Sequence, residues 1–213
     1  MMKNIKLTLI PDGSSDTCLL EIIKWTLNDL YPRRVFEIDA ADFKGLRNPP
    51  KTLEKKIKFA NNFFPCDILV IHRDAEKTDK SIIEERRKEI IKAIQDNKKL
   101  IFVCIIPITM METWLLIEVN ALKKGAGNRN YTKQILLPPI GKLETLRNSK
   151  ETLHKLLQDI SGLKGRNLDK FNVHKAVHIV AENIKDFTPL RSLDAFKIFE
   201  AELKQKMENF LAN

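Results

Sequence analysis

Between Lys123 and Lys150 acidic residues are almost absent. Seven bases (Lys123, Lys124, Arg129, Lys133, Lys142, Arg147, Lys150) face one acid, Glu144, so this segment holds +6 of a formal net charge of +9. A long apolar run is also lacking: the longest, Leu100 to Pro107, falls far short of the ~20 residues that span a bilayer. Residues 1–10 have neither the apolar core nor the cleavage site of a signal peptide. Cysteine is scarce, and Cys18, Cys66 and Cys104 lack CxxC spacing. That excludes a zinc ribbon or disulfide framework and predicts reduced core thiols in a cytoplasmic protein with no membrane contact. There is no GxxxxGK[ST], so P-loop ATP hydrolysis is not expected. Of four histidines, His174 and His178 stand at i,i+4 without a third ligand, which argues against zinc.

What is present suits one well-buried domain, or one with an appendage: 213 residues, 43% hydrophobic and 31% charged. The organising stretch is Ile68 to Glu76, ILVIHRDAE. Continuous β-branched residues without polar alternation predict a strand buried on both faces, as in a parallel sheet under helices. His72 at its end reads as a core histidine. Further strands are predicted at Lys6–Ile10, Arg34–Asp39 and Leu100–Pro107. Apolar residues at helical spacing predict helices after Ser14-Ser15-Asp16 and over Thr52–Asn62, Lys80–Asn97 and Met110–Leu122, with three closing helices from Lys150 to Leu211. The alternation β-α-β-α-β-α-β predicts an α/β fold: a mostly parallel sheet of about four strands, helices on both faces and a C-terminal helical extension. The expected division is a core over 1–122, a basic loop or lid over 123–149 and a helical subdomain over 150–213 packed on the core.

Ligands in open α/β sheets bind outside the carboxyl ends of the strands. The first strand delivers Asp12 there and the central strand delivers Asp74 and Glu76. Three carboxylates without a fixed lysine partner suit Mg²⁺ or Mn²⁺, which are held by few carboxylates plus water and phosphate. Such an ion polarises a phosphoryl oxygen and supplies hydroxide. Asp12-Gly13 also reads as a turn, and Asp16 as a helix cap. Glu112 favours the start of its helix, and Lys150 is either a cap or a point charge for phosphate. The basic segment suits a polyanion.

LTLIPDGSSDTCLLEIIKWTL resembles the first motif of Toprim domains, and ILVIHRDAE resembles the second. Three further stretches, IPITMMETWLL, LRNSKETLHKLL and PLRSLDAFKIFEAEL, are similar to segments of small standalone bacterial Toprim-like proteins. That branch is related to the nuclease half of overcoming-lysogenisation-defect (OLD) endonucleases. Ser149 stands where proline is usual, Asp12 where the first motif has glutamate, and Glu76 where the second has aspartate. The resemblance implies a Toprim-like Rossmannoid and a metal-dependent nuclease acting on DNA or RNA. It also implies a role in anti-phage defence or a toxin-like system, with a separate ATPase partner and oligomers permitted. Asp12, Asp74 and Glu76 would hold metal, Glu112 and Lys150 would assist catalysis, and Lys123, Lys124, Arg129, Lys133 and Arg191 would contact the nucleic-acid backbone. The alternatives are a catalytically degenerate module that binds nucleic acid or a partner protein, and a small-molecule phosphatase using the same carboxylates.

Overall fold

A computed structural model describes residues 4–13, 15–95 and 100–212. Ser14 and the Asp96–Asn97 end expected for the third helix lie outside the described residues. Four parallel strands, β1 (Ile5–Ile10), β2 (Phe36–Ala40), β3 (Ile68–His72) and β4 (Phe102–Ile105), form one sheet in the order β2-β1-β3-β4. The fold is therefore α/β, as the alternation predicts. β3 is buried at every residue, whereas edge strand β2 alternates half-buried and exposed positions. The registers pair Leu9 with Val70 and His72 with Ile105, so β1, β3 and β4 end on one rim.

The first three helices connect these strands. α1 (Leu19–Leu30) buries Leu19, Ile22, Ile23, Thr26 and Leu27, one stripe at helical spacing. α2 (Leu53–Phe63) is capped by Thr52, whose side-chain oxygen accepts from Lys55 N at 3.3 Å. α3 (Ser81–Ile94) buries Ile82, Ile83, Ile90 and Ile94.

Helix was expected over Met110–Leu122. A 3₁₀ turn, Met111–Leu115, precedes a short α4 (Val119–Gly125). Every residue of that turn is buried, so a one-sided amphipathic helix does not describe it. Trp114 is enclosed by Phe196 and Phe199, with ring centroids 5.4 and 6.3 Å away.

The C-terminal part comprises α5 (Ser149–Ser161), α6 (Arg166–Asp169), α7 (Val173–Asn183) and α8 (Asp194–Ala212). α4 and α7 pack so closely that a Cβ on Gly125 would lie 2.5 Å from Val180 Cγ2 and 2.8 Å from the Ala176 carbonyl, so a side chain there forces the helices apart. The basic segment expected as a lid is docked at several points. Lys123 and Lys124 finish α4, and Asn128 donates to the Ile160 carbonyl at 2.9 Å. A 3₁₀ turn, Ile140–Thr145, buries Leu143 and Glu144. Glu144 accepts from Asp194 N at 3.1 Å and Ala195 N at 2.8 Å, satisfying orphan donors that open α8. α8 also covers the free edge of β4, where Glu202 accepts from Cys104 N at 3.2 Å and from both terminal nitrogens of Arg87 at 2.7 and 2.8 Å. All three cysteines are free, Cys18 and Cys104 buried and Cys66 half-buried. Among the described residues no helix is long and apolar enough to cross a membrane.

Candidate metal centre

β1 and β3 are neighbours, and the chain leaves them for opposite sides of the sheet. The crevice at their carboxyl ends is a topological switch point, where α/β sheets bind ligands. After β1 the chain turns through Pro11–Gly13 and enters a 3₁₀ turn, Asp16–Cys18. Asp16 folds back over its own loop. Its Oδ2 accepts from Gly13 N at 2.5 Å and its Oδ1 from Ser15 Oγ at 3.2 Å. His72, the last residue of β3, is fully buried. Its Nδ1 donates to the Ile105 carbonyl on β4 at 3.0 Å, leaving Nε2 as the free ring nitrogen. Nε2 lies 3.4 Å from Asp74 Oδ1 and 3.5 Å from Asp16 Oδ2, yet makes no hydrogen bond. Asp74 is steadied by Met111 N, 2.9 Å from its Oδ1.

One ligand atom from each of Asp16, His72 and Asp74 lies within 4.8 Å of the others, so the group can hold a metal ion. The donor chemistry fits: metal-bound histidine typically donates its other ring N–H to a carbonyl, which fixes tautomer and orientation. With no cation bound, burial opposes a charge on His72. The Asp74 and Asp16 carboxylates overcome that and raise its pKa to about 9. An imidazolium then stands as the internal counter-ion, and metal binding must displace its proton.

Glu112 adds a fourth group from the 3₁₀ turn after β4. It is 2% exposed and its Oε2 has no hydrogen-bond partner. Burial pushes its carboxyl upward, and the negative charges of Asp74 and Asp16 add to that. Lys150 Nζ lies 3.8 Å from Glu112 Oε1. The backbone behind these groups is pinned beyond the strand ends. Ala75 N bonds the Pro107 carbonyl at 3.1 Å, Glu76 N the Thr109 carbonyl at 2.7 Å and Thr109 N the Lys77 carbonyl at 3.1 Å. Glu76 and Thr109 both adopt left-handed backbone, φ 60° and 64°. Strain of that kind in non-glycine residues clusters at functional sites. Thr109 Oγ1 also meets Thr113 Oγ1 at 2.9 Å and Ser149 Oγ at 3.3 Å, which ties the rim to α5.

The predicted site residues divide. Asp74 is in the metal-competent group, and Glu112 and Lys150 form a pair beside it. Asp12 and Glu76 are drawn elsewhere. Asp12 Oδ2 lies 3.4 Å from Arg73 Nε, and Glu76 Oε2 lies 3.1 Å from Arg86. Asp16, read more as a helix cap than as a ligand, is the acid that the β1 loop brings to the group, and His72, read as core, is the nitrogen that the group could offer an ion. For His72 the signal available in the sequence was its place two residues before Asp74 at the end of a fully apolar strand; Asp16 had none. Arg191 is committed internally: it contacts Glu200 and Asp29, each at 2.6 Å, and lies over the Trp25 ring at 5.0 Å. Lys123 and Lys124 are half-buried, and Arg129 and Lys133 are exposed. No protein-family model, curated protein or solved structure matches the chain.

Proposed function

We propose that this chain is a metal-dependent phosphodiesterase acting on nucleic acid. The observation that carries the reading is the Asp16–His72–Asp74 group at the sheet's switch point, with Glu112, whose Oε2 makes no hydrogen bond, close enough to feel the charges of Asp74 and Asp16. Two carboxylates and an imidazole held this close are a donor set for a divalent cation, and a buried carboxylate oxygen beside them is rarely left without a partner. A bound divalent cation would polarise a phosphoryl oxygen and lower the pKa of a coordinated water. Asp16, His72 and Asp74 would hold it, and the imidazole nitrogen favours Mn²⁺ over the all-oxygen preference of Mg²⁺. Glu112, as a carboxylate once a cation is bound beside it, would take a proton from the attacking water, and the burial that raises its pKa makes it the stronger base. Lys150 places a positive charge beside it for the phosphate. The Toprim-like resemblance supports the same chemistry, and a separate ATPase partner and a defence or toxin-like role follow from that resemblance.

The test is cleavage of DNA and RNA by the purified chain with Mn²⁺ or Mg²⁺, repeated with Asp74→Ala. Loss of a ligand is expected to exceed the ~10²-fold cost of disturbing an outer partner. Cleavage by Asp74→Ala at the wild-type rate overturns the assignment. A second reading, a module that binds without cutting, is favoured by the arginine pairing of Asp12 and Glu76. Nucleic-acid binding indifferent to metal, without hydrolysis, would select it.

A further inference from the structure

A second run of positive charge lies outside the metal group. Residues 43–63 hold Lys44, Arg47, Lys51, Lys55, Lys56 and Lys58 against one acid, Glu54. Lys56 is used structurally, donating to the Asp12 carbonyl at 2.7 Å and the Pro11 carbonyl at 3.2 Å, so it braces the β1 loop. Arg47, Lys51, Lys55 and Lys58 are exposed and, among the described residues, form no ion pair. All four line one open depression of about 660 Å³, together with Phe59 and Phe63. Lys55, Lys58 and Asn62 recur at helical spacing, one stripe along α2, and Lys51 stands just before the helix cap. At 1.5 Å per residue the helical part of that stripe is roughly 10 Å long.

Aromatic rings interrupt the stripe. Phe59 contacts Phe43 and Phe63, with centroids 5.8 and 4.6 Å away, and Phe63 is 67% exposed. A large aromatic side chain this open beside unpaired cations suits a base stacking on its face. The depression also leads somewhere. A second cavity, about 440 Å³, shares Pro49 and Pro50 with it and reaches Asp12, Gly13 and Thr17. Gly13 is the residue whose N–H holds Asp16.

We infer that α2 and the loop before it bind single-stranded nucleic acid, with phosphates on Arg47, Lys51, Lys55 and Lys58 and a base on Phe63. A duplex keeps its bases stacked internally and offers Phe63 no face, so the single strand is the form that uses both features. That this surface feeds strand to the metal group rests on the phosphodiesterase reading; the binding itself does not.

Fluorescence polarisation of a labelled twelve-nucleotide oligothymidylate with the full chain in EDTA tests it. Four phosphate contacts predict a slope of log affinity against log salt of about −3. The triple variant Lys51→Ala/Lys55→Ala/Lys58→Ala is expected to make that slope shallower by about 2 and to weaken binding at least ~10-fold. Phe63→Ala is expected to weaken binding ~5-fold or more with the slope unchanged. These residues are exposed, and an unchanged melting temperature shows that the variants fold. An unchanged affinity and slope in the triple variant overturns the inference, as does tighter binding of a duplex. Failure of the metal reading would remove cleavage and leave this slope intact. Failure of the present inference would leave cleavage intact and the slope insensitive to α2.

Discussion

Glu202 and Glu112 are both buried, 7% and 2% exposed, but their surroundings differ in kind. Glu202, under α8, has both oxygens engaged, by Arg87 from α3 and by Cys104 N from the edge of β4. Glu112, on the rim, has one oxygen with no partner and only a 3.8 Å approach from Lys150 at the other. The first region spends its buried charge on holding a helix against a sheet. The second keeps acids and an imidazole close together, with His72 Nε2 and Glu112 Oε2 making no hydrogen bond. Burying charge without satisfying it costs stability, so a rim built this way points to a ligand, and the satisfied glutamate points to architecture.

The comparison can be broken most sharply at Glu202. Glu202→Ala takes from Arg87 the carboxylate that both its terminal nitrogens bond and leaves Cys104 N bare, and is expected to cost about 3 kcal/mol in urea unfolding with Mn²⁺ affinity unchanged. A cost under about 1 kcal/mol would remove the architectural role. The rim answers differently to pH. Because the folded protein raises the His72 pKa from 6.5 to about 9, the His72 contribution to metal-free stability is complete below pH 6.5 and is lost as pH rises toward 9. Melting temperature in EDTA should fall by several degrees across that window, and His72→Gln should flatten the fall. A flat wild-type profile would mean that the imidazolium is not the counter-ion of Asp16 and Asp74.

Glu112→Gln is expected to have a smaller effect and the opposite sign. It removes a carboxyl that burial and two neighbouring acids disfavour, raising metal-free stability by about 1 kcal/mol while weakening Mn²⁺ binding ~10-fold by calorimetry. A lower melting temperature would show that the Lys150 contact outweighs burial. Least affected should be the outer acids. Asp12→Asn and Glu76→Gln remove partly exposed arginine pairs, and each is expected to change stability by no more than about 0.5 kcal/mol and Mn²⁺ affinity by less than about twofold. A tenfold loss of Mn²⁺ affinity in either would place that acid among the ligands.

The sequence made the four strands readable because hydrophobic periodicity is local: ILVIH at β3 and FVCI in β4 have no polar face to misread. It also pointed to the rim on which Asp74 joins Asp16 and His72, since carboxylates just past a buried strand were the visible candidates there. The α4 region was less legible, because Met111–Leu115 is enclosed on all sides and an enclosed segment carries no amphipathic stripe.

The membership of the metal group was not legible at all from spacing. Asp12 and Asp16 both follow β1, and Asp74 and Glu76 both follow β3, so chain position ranks neither pair. What decided between them was competition in three dimensions. Arg73 and Arg86 lie where they draw Asp12 and Glu76 outward, and the 3₁₀ turn swings Asp16 inward against Gly13 N. His72 can offer Nε2 to an ion because the β4 carbonyl of Ile105 takes its other nitrogen. Which residues are apolar, charged or capable of binding metal is written in the chain, and so is the parallel order that brings them to one edge. Which oxygen faces which nitrogen depends on hydrogen bonds and ion pairs between residues dozens of positions apart, and only the folded structure sets those.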